Sequence, residues 1–203
     1  MEYQIEDALL EDIKDNDISK EEAKKIQFNA MGDDVIKKYL PYAKILTYNE
    51  LSKYSTIEEL LKKPLDYVII LYQNKQNSGH WVLLSRYDNI IEFFSSYGDY
   101  IDEPLNWTSL KKRIGLGEDK PYLSQLLSNA ISSKKFEVIY NSFDFQSKND
   151  LSISTCGRWC VLRIHTILLF KLSLSKFIQM IKRMKKEKKI SYDILVSQII
   201  DKI

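Results

Sequence analysis

The hydrophobic positions in the middle of the chain follow the patterns of β-strands. The run LDYVIILYQ, residues 65–73, is β-branched and aromatic, which predicts a buried strand. Two further apolar runs, HWVLLSRY and NIIEFFSS, flank Asp88-Asn89, and this spacing predicts a hairpin with a tight turn. Another strand is expected in FEVIYNSF, residues 136–143. The centre of the chain is therefore expected to form a short sheet.

Helical patterns precede the sheet. Ser19 is followed three residues later by a glutamate, which resembles a capping box, and residues 18–39 are predicted to be helical. The same signature begins at Ser55, so residues 55–63 are predicted to form a second helix that ends before Pro64.

Helical patterns also follow the sheet. The run CGRWCVLRIHTILLFKL, which begins at Cys156, is apolar almost all round and predicts a buried helix against the sheet. The segments SLSKFIQMIKRMKKEKK and SYDILVSQIIDKI predict two amphipathic helices. The order of elements predicts an α+β fold with a small mixed or antiparallel sheet. Since no linker or repeat marks a boundary, residues 1–203 are expected to form one domain.

Composition and charge narrow the class of protein. The chain is 44% hydrophobic and 29% charged, as in globular proteins, and no apolar run approaches the roughly 20 residues that span a bilayer. The acidic N-terminus is neither a secretory signal nor a targeting peptide, so we expect a protein that works where it is made. Residues 171–203 carry 9 Lys/Arg against 3 Asp/Glu. This basic segment is either a solvated helix face or a contact for an acidic partner such as DNA.

One cysteine is a candidate nucleophile. Cys156 stands where a loop becomes the buried helix, and the positive end of a helix dipole stabilises a thiolate. Gly157 allows close approach of another chain and leaves a backbone N–H for an oxyanion. Cys160, one turn further in, fits an inert buried thiol. His165 is rotated by about 180° from Cys156 at 100° per residue, which excludes it as the base and argues against a zinc site. His80 is the remaining histidine.

The motifs around these residues resemble a protease family. Gly79-His80-Trp81, an aromatic strand that ends near Tyr97-Gly98, and then QS-N and TCGRWC look like the adenovirus maturation protease (adenain) and its relatives. These relatives include the SUMO proteases and the maturation proteases of large DNA viruses and virophages. The resemblance covers roughly residues 65–172 and follows the family order of His, acid, Gln and Cys.

The resemblance implies a fold, a function and roles for single residues. It implies a sheet packed on a central helix that carries the nucleophile, with residues 1–64 and 173–203 as flanking helical parts and 65–172 as the catalytic core. It implies Cys156 as nucleophile, His80 as base, Gln146 as oxyanion donor and Trp81 in the wall of a narrow substrate channel. The implied activity is viral cysteine endopeptidase, which cleaves capsid or other structural precursors at Gly-containing sites. A deconjugating protease for a ubiquitin-like protein shares this site.

The sequence departs from the family at two places. The interval between Gln146 and Cys156 is longer than usual, which implies a small insertion. The position of the family's acid holds Ser95, and we predict that Ser95 or a water it holds orients His80. Asp99 is the nearest alternative acid in sequence, whereas Asp88 in the turn and Glu92, which strand alternation directs to the opposite face, are less suitable.

Because Ser95 replaces the acid of the protease family, two other functions are also compatible with the sequence. A catalytically degenerate protein that binds a partner, or an acetyltransferase with a His-acid-Cys site, would also fit these residues. We expect no cofactor, no metal and no membrane association, and we expect a monomer with a protein substrate. The sites of action implied by the resemblance are the host cytoplasm, in the virus factory, and the virion.

Overall fold

The computed structural model describes residues 18–200 of the 203-residue chain. These residues form two compact units. The sheet unit is Tyr42–Ser142, and the helical unit contains the described residues up to Pro41 together with those from Phe143 onward. Whether the two units act as one protease domain stays a prediction, and the parts of the predicted segments that fall on residues 1–17 and 201–203 lie outside the described residues.

The sheet unit is built on five strands in the order β1-β2-β3-β4-β5. Strands β2, β3 and β4 are antiparallel neighbours, and β1 and β5 add to the two edges in parallel. The sheet is therefore mixed, and the predicted α+β class is confirmed. The strands are β1 Lys44–Thr47, β2 Tyr67–Lys75, β3 Ser78–Tyr87, β4 Ile90–Ser95 and β5 Glu137–Tyr140.

The predicted hairpin is present, with Tyr87 paired to Ile90 across the turn. Asp88 in this turn has a positive φ of 53°, a conformation that Asp and Asn tolerate better than most residues. Strand β1, a four-residue strand at the sheet edge, was not predicted from the sequence.

Three short helices complete the sheet unit with two 3₁₀ turns. Helix α3 is Ile57–Leu60, α4 is Leu110–Leu116 and α5 is Tyr122–Ser132, and the 3₁₀ turns are Tyr48–Lys53 and Glu103–Trp107. One face of the sheet and residues of α3 and α5 share a hydrophobic core. Its members include Val68, Ile70, Val82, Leu84, Phe93, Ile57, Leu123 and Leu127.

Two helix predictions in the first part of the chain were wrong in detail. The helix expected over 18–39 is two helices, α1 Lys20–Ile26 and α2 Asp33–Tyr39, although Ser19 caps the first as predicted. The second helix has Gly32 as its N-cap, and the two acidic residues that follow favour a helix N-terminus. The cap of α3 is Thr56 rather than Ser55, because the Thr56 hydroxyl accepts the Glu59 backbone N–H.

The helical unit contains the predicted buried helix. Helix α6 is Cys156–Phe170, and it is followed by α7 Leu174–Lys188 and α8 Tyr192–Ile200. Residues of α6 contact α2 and α8. Among residues 18–200, no helix is long and apolar enough to cross a membrane.

The charged residues of α6 are accommodated by backbone and aromatic partners. Arg163 is fully buried, donates to the carbonyl oxygen of Leu172 and lies over the ring of Phe177. Arg158 donates to the carbonyl oxygen of Asn29. These contacts let α6 remain buried, since a buried cation is tolerated only with such partners.

Candidate active site

His80 lies on β3, directly after a glycine that the strand pairing requires. Gly79 pairs with Gln73, and a Cβ at residue 79 would collide with the backbone carbonyl of Tyr72. Only glycine lets β2 and β3 approach this closely at the point where the imidazole is held. The Gly-His order of the sequence motif thus has a local steric cause.

The imidazole of His80 is buried and joined to a carboxylate through a serine. His80 Nε2 lies 3.0 Å from Ser95 Oγ, and Ser95 Oγ donates to Asp99 Oδ2 at 2.9 Å. An ionised carboxylate can only accept hydrogen bonds, so the Ser95 hydroxyl donates its proton to Asp99. The same hydroxyl oxygen then accepts a hydrogen bond from His80 Nε2–H. In the neutral ring this leaves Nδ1 as the nitrogen that accepts a proton. We call this chain of His80, Ser95 and Asp99 the relay.

Ser95 is itself held by a residue that the sequence reasoning missed. The Asn141 side chain accepts from the Ser95 backbone N–H at 2.9 Å and donates to the Ser95 carbonyl at 2.8 Å. Asn141 directly follows β5, and its amide continues the pairing of β5 with β4 after the strand has ended. The Ser95 hydroxyl also accepts from the Tyr97 backbone N–H at 3.3 Å. These contacts fix Ser95 at the end of its strand.

Aromatic rings surround the imidazole. Tyr97 and Trp107 lie with their ring centroids 4.7 and 5.3 Å from that of His80, and Trp107 is 50% exposed. Trp107 was not singled out from the sequence, because it lies in a 3₁₀ turn 27 residues from the histidine. Trp81 is 9% exposed and, by strand alternation, faces the other side of the sheet from His80. Its role in a substrate channel stays a prediction.

The other two acidic candidates are directed elsewhere. Glu92 is buried and accepts from the Tyr87 hydroxyl at 2.8 Å, while Asp88 lies in the hairpin turn. Glu92 pairs with Ser85 and Ser95 pairs with Val82, so the two side chains lie on opposite faces of the sheet. Asp99, in contrast, accepts the hydrogen bond of the Ser95 hydroxyl.

The remaining candidates lie in the helical unit. Cys156 is the first residue of α6, forms no disulfide and is 8% exposed. Burial, and secondarily the neighbouring Cys156, raises the pKa of Cys160 well above its usual value, so Cys160 has little thiolate. Gly157 is buried in the first turn. Of the two thiols, Cys156 lies at the positive end of the α6 dipole, and its role as nucleophile stays a prediction.

Gln146 is buried beside a well-anchored aromatic residue. Phe145 packs on Trp159 and Phe177 with ring centroids 4.7 and 5.5 Å away. The Gln146 side-chain amide donates to the Ile153 carbonyl at 2.9 Å, so one of its two N–H groups closes the loop before α6. The role of Gln146 as an oxyanion donor stays a prediction.

His165 has the environment of a structural histidine. Burial lowers its pKa, while a hydrogen bond to the Tyr39 backbone acts in the opposite direction, and its Nε2 has no partner. Within residues 18–200, no group of three or more His, Cys, Asp or Glu side chains is arranged to hold a metal ion.

Comparison with known proteins gives a viral relative. No family model matches the chain. The chain is 41% identical over 159 residues to the uncharacterized protein V9 of Sputnik virophage, and the match covers 77% of the chain and 85% of that relative. Identity at this level over most of both chains indicates common descent and supports a virophage origin. The chain belongs to the family of this virophage protein.

Proposed function

We propose that the chain is a viral cysteine endopeptidase in which Cys156 is the nucleophile and His80 the general base. The observation that carries the proposal is the relay, because a buried imidazole oriented by a hydroxyl and backed by a carboxylate is the arrangement that acyl-transfer chemistry needs. The position of Cys156 at the N-terminus of a 15-residue helix supports the same role for the thiol.

In the proposed site, Ser95 and Asp99 together take the role that a single acidic residue has in adenain-like proteases. Ser95 fixes the tautomer and the ring orientation, since it accepts from Nε2–H. Asp99 supplies the negative charge that stabilises the imidazolium. Its carboxylate lies farther from the ring than one hydrogen-bonded directly to His80. The serine at the acid position is therefore weak evidence for a degenerate site.

The proposed reaction is acyl transfer in two steps. His80 takes the thiol proton, and the Cys156 thiolate attacks the scissile carbonyl carbon to form a tetrahedral oxyanion. The backbone N–H groups of the first turn of α6 and the Gln146 amide stabilise this oxyanion. The imidazolium then donates its proton to the departing amine, and a thioester remains. In the second step His80 removes a proton from water, and the resulting hydroxide adds to the thioester carbonyl. The Cys156 thiolate leaves, the carboxylic acid product forms, and the imidazolium returns its proton to the thiolate.

The proposed substrates are viral structural precursors with glycine near the scissile bond. The experiment is incubation with the virophage's own structural proteins, followed by mass-spectrometric mapping of new termini. Cys156→Ala should abolish the new termini, and Cys160→Ala, a change of a fully buried thiol, is the matched control that should keep them. Cleavage that survives in Cys156→Ala would refute the proposal.

Two further measurements separate this function from its rivals. A thiol-directed peptide aldehyde should form a covalent adduct with the wild-type protein and not with Cys156→Ser. A catalytically degenerate binding protein would form no such adduct. Release of a ubiquitin-like protein from a conjugate, without cleavage of structural precursors, would instead identify a deconjugating protease. Turnover of acetyl-CoA would identify an acetyltransferase.

Contact with DNA through the basic C-terminal segment is a separate part of the proposal. Helix α7 has an exposed lysine-rich surface, and Lys182 and Lys185 lie over the rings of Phe143 and Tyr192. A DNA titration should show affinity that falls with salt as counterions are released. Affinity independent of salt would leave these lysines as a solvated face. The proposed sites of action are the host cytoplasm, in the virus factory, and the virion.

A further inference from the structure

One buried carboxylate holds both ends of the loop that separates Gln146 from Cys156. Asp193, in the first turn of α8, is 3% exposed. Its Oδ2 accepts the Ser147 backbone N–H at 3.2 Å, and its Oδ1 accepts the Thr155 hydroxyl at 2.6 Å. The carboxylate therefore bridges residues that are eight positions apart in sequence.

The two partners of Asp193 are sequence neighbours of Gln146 and Cys156, two of the residues in the proposed chemistry. Ser147 follows Gln146, and Thr155 precedes Cys156. The Gln146 amide also donates to the Ile153 carbonyl, which closes the same loop from inside. The tip of the loop is open, since Leu151 is 91% exposed. The loop between Gln146 and Cys156 thus extends outward to an exposed tip, and the contacts of Asp193 and Gln146 hold its two ends together.

We propose that Asp193 is a positioning residue that keeps the Gln146 amide and the Cys156 thiol in register despite the long loop between them. The inference rests on the proposed function, because register matters only if the two groups act on one substrate. A displacement of about 1 Å in such a pair costs up to roughly 100-fold in rate.

The role depends on hydrogen bonding more than on charge. Burial raises the pKa of Asp193, while its bonds with Thr155 and Ser147 lower it. An asparagine can keep both contacts, because its amide oxygen accepts from the Ser147 N–H and its NH₂ group donates to the Thr155 hydroxyl, which accepts as readily as it donates. An alanine keeps neither contact.

A purely structural role for Asp193 in α8 predicts different results. Its position in the first turn of α8 would stabilise that helix whether or not the loop were held. Thr155→Val separates the two roles, since it removes the hydroxyl and leaves α8 unchanged. Thr155→Ser restores the hydroxyl and is the matched control.

The first measurement is hydrogen exchange of the amides in residues 147–155, followed by mass spectrometry. It does not depend on activity. We expect faster exchange in Asp193→Ala, near-wild-type exchange in Asp193→Asn, and faster exchange in Thr155→Val than in Thr155→Ser. Unchanged exchange in Asp193→Ala and Thr155→Val would overturn the inference, whatever the enzyme does.

The second measurement compares cleavage with alkylation. With a peptide coumarin amide that carries Gly-Gly before the scissile bond, Asp193→Ala and Thr155→Val should lower kcat by roughly 100-fold with little change in KM. Alkylation of Cys156 by iodoacetamide, which forms no oxyanion, should keep its wild-type rate. Equal losses in both reactions would mean that Asp193 only maintains the fold. If wild type cleaves neither this peptide nor the structural proteins while exchange responds as expected, the proposed function fails and Asp193 remains a loop tether without a catalytic role.

Discussion

Asp99→Asn is the substitution that tests the relay most directly. It removes the negative charge and keeps the size of the side chain. The variant also allows the hydrogen bonds of the relay to reverse direction, because an asparagine NH₂ can donate to the Ser95 hydroxyl. That hydroxyl would then donate to His80 Nε2. That reversal would leave Nδ1 protonated and unable to act as the base. Both effects lower activity.

The size of the effect follows from the two hydrogen bonds. Their lengths of 3.0 and 2.9 Å put the Asp99 carboxylate within about 6 Å of His80 Nε2. Two unit charges at that separation interact by about 3 kcal/mol at an effective dielectric constant of 20. We therefore expect kcat/KM to fall about 100-fold in Asp99→Asn at neutral pH.

The assay is the pH profile of kcat/KM with the Gly-Gly peptide. The alkaline limb reports loss of the imidazolium, so it should move to lower pH in Asp99→Asn, while a purely structural defect would lower the whole profile. Glu92→Gln is the matched control, since it changes a buried carboxylate of β4 whose side chain lies on the opposite face of the sheet from Ser95. Ser95→Asp in the Asp99→Asn protein places a carboxylate where adenain-like proteases carry their acid and should recover activity.

Two outcomes would refute this reasoning. A folded Asp99→Asn protein with activity near that of wild type and an unshifted profile would show that the carboxylate does not act on His80. If Asp99→Ala abolishes cleavage and Ser95→Ala leaves it intact, the serine does not orient the imidazole.

Three further predictions concern single residues. Asn141→Ala should destabilise the sheet unit by about 1–3 kcal/mol, because the buried Ser95 N–H loses its Asn141 acceptor and the Ser95 carbonyl keeps only the Gly98 N–H as donor, and urea unfolding measures this loss; an unchanged midpoint would contradict it. Gly79→Ala should lower both stability and activity, since its Cβ would collide with the Tyr72 carbonyl, whereas Gly115→Ala, where nothing lies within 4 Å, is the control that should be neutral or stabilising. Burial lowers the pKa of His165 below its ordinary 6.5, so the unfolded chain binds that proton more readily and stability should fall as pH drops below about 6.5. His165→Gln should flatten this dependence in unfolding measured between pH 5 and 7, and an unchanged slope would be evidence against it.

The sequence by itself determined the features that depend on near neighbours. The central strands, the Asp88-Asn89 hairpin and the start of α6 at Cys156 follow from hydrophobic period and turn chemistry within a few residues. The fixed rotation of 100° per residue was enough to separate His165 from Cys156. The helix over 18–39 was predicted too long, because a period of apolar residues continued through a segment where the backbone leaves the helix.

Only the tertiary structure decided what supports the candidate residues. Asn141 meets Ser95 across 46 positions, and Asp193 meets Thr155 across 38, and neither pairing has a local signature. Ser95 and Asp99 are only four residues apart, yet their contact depends on the turn at Gly98, whose φ of 67° the sequence merely permits. Hydrogen-bond partners of buried polar groups are set by which chain segments the fold brings within 3 Å, and hydrophobic periodicity carries no information about that choice.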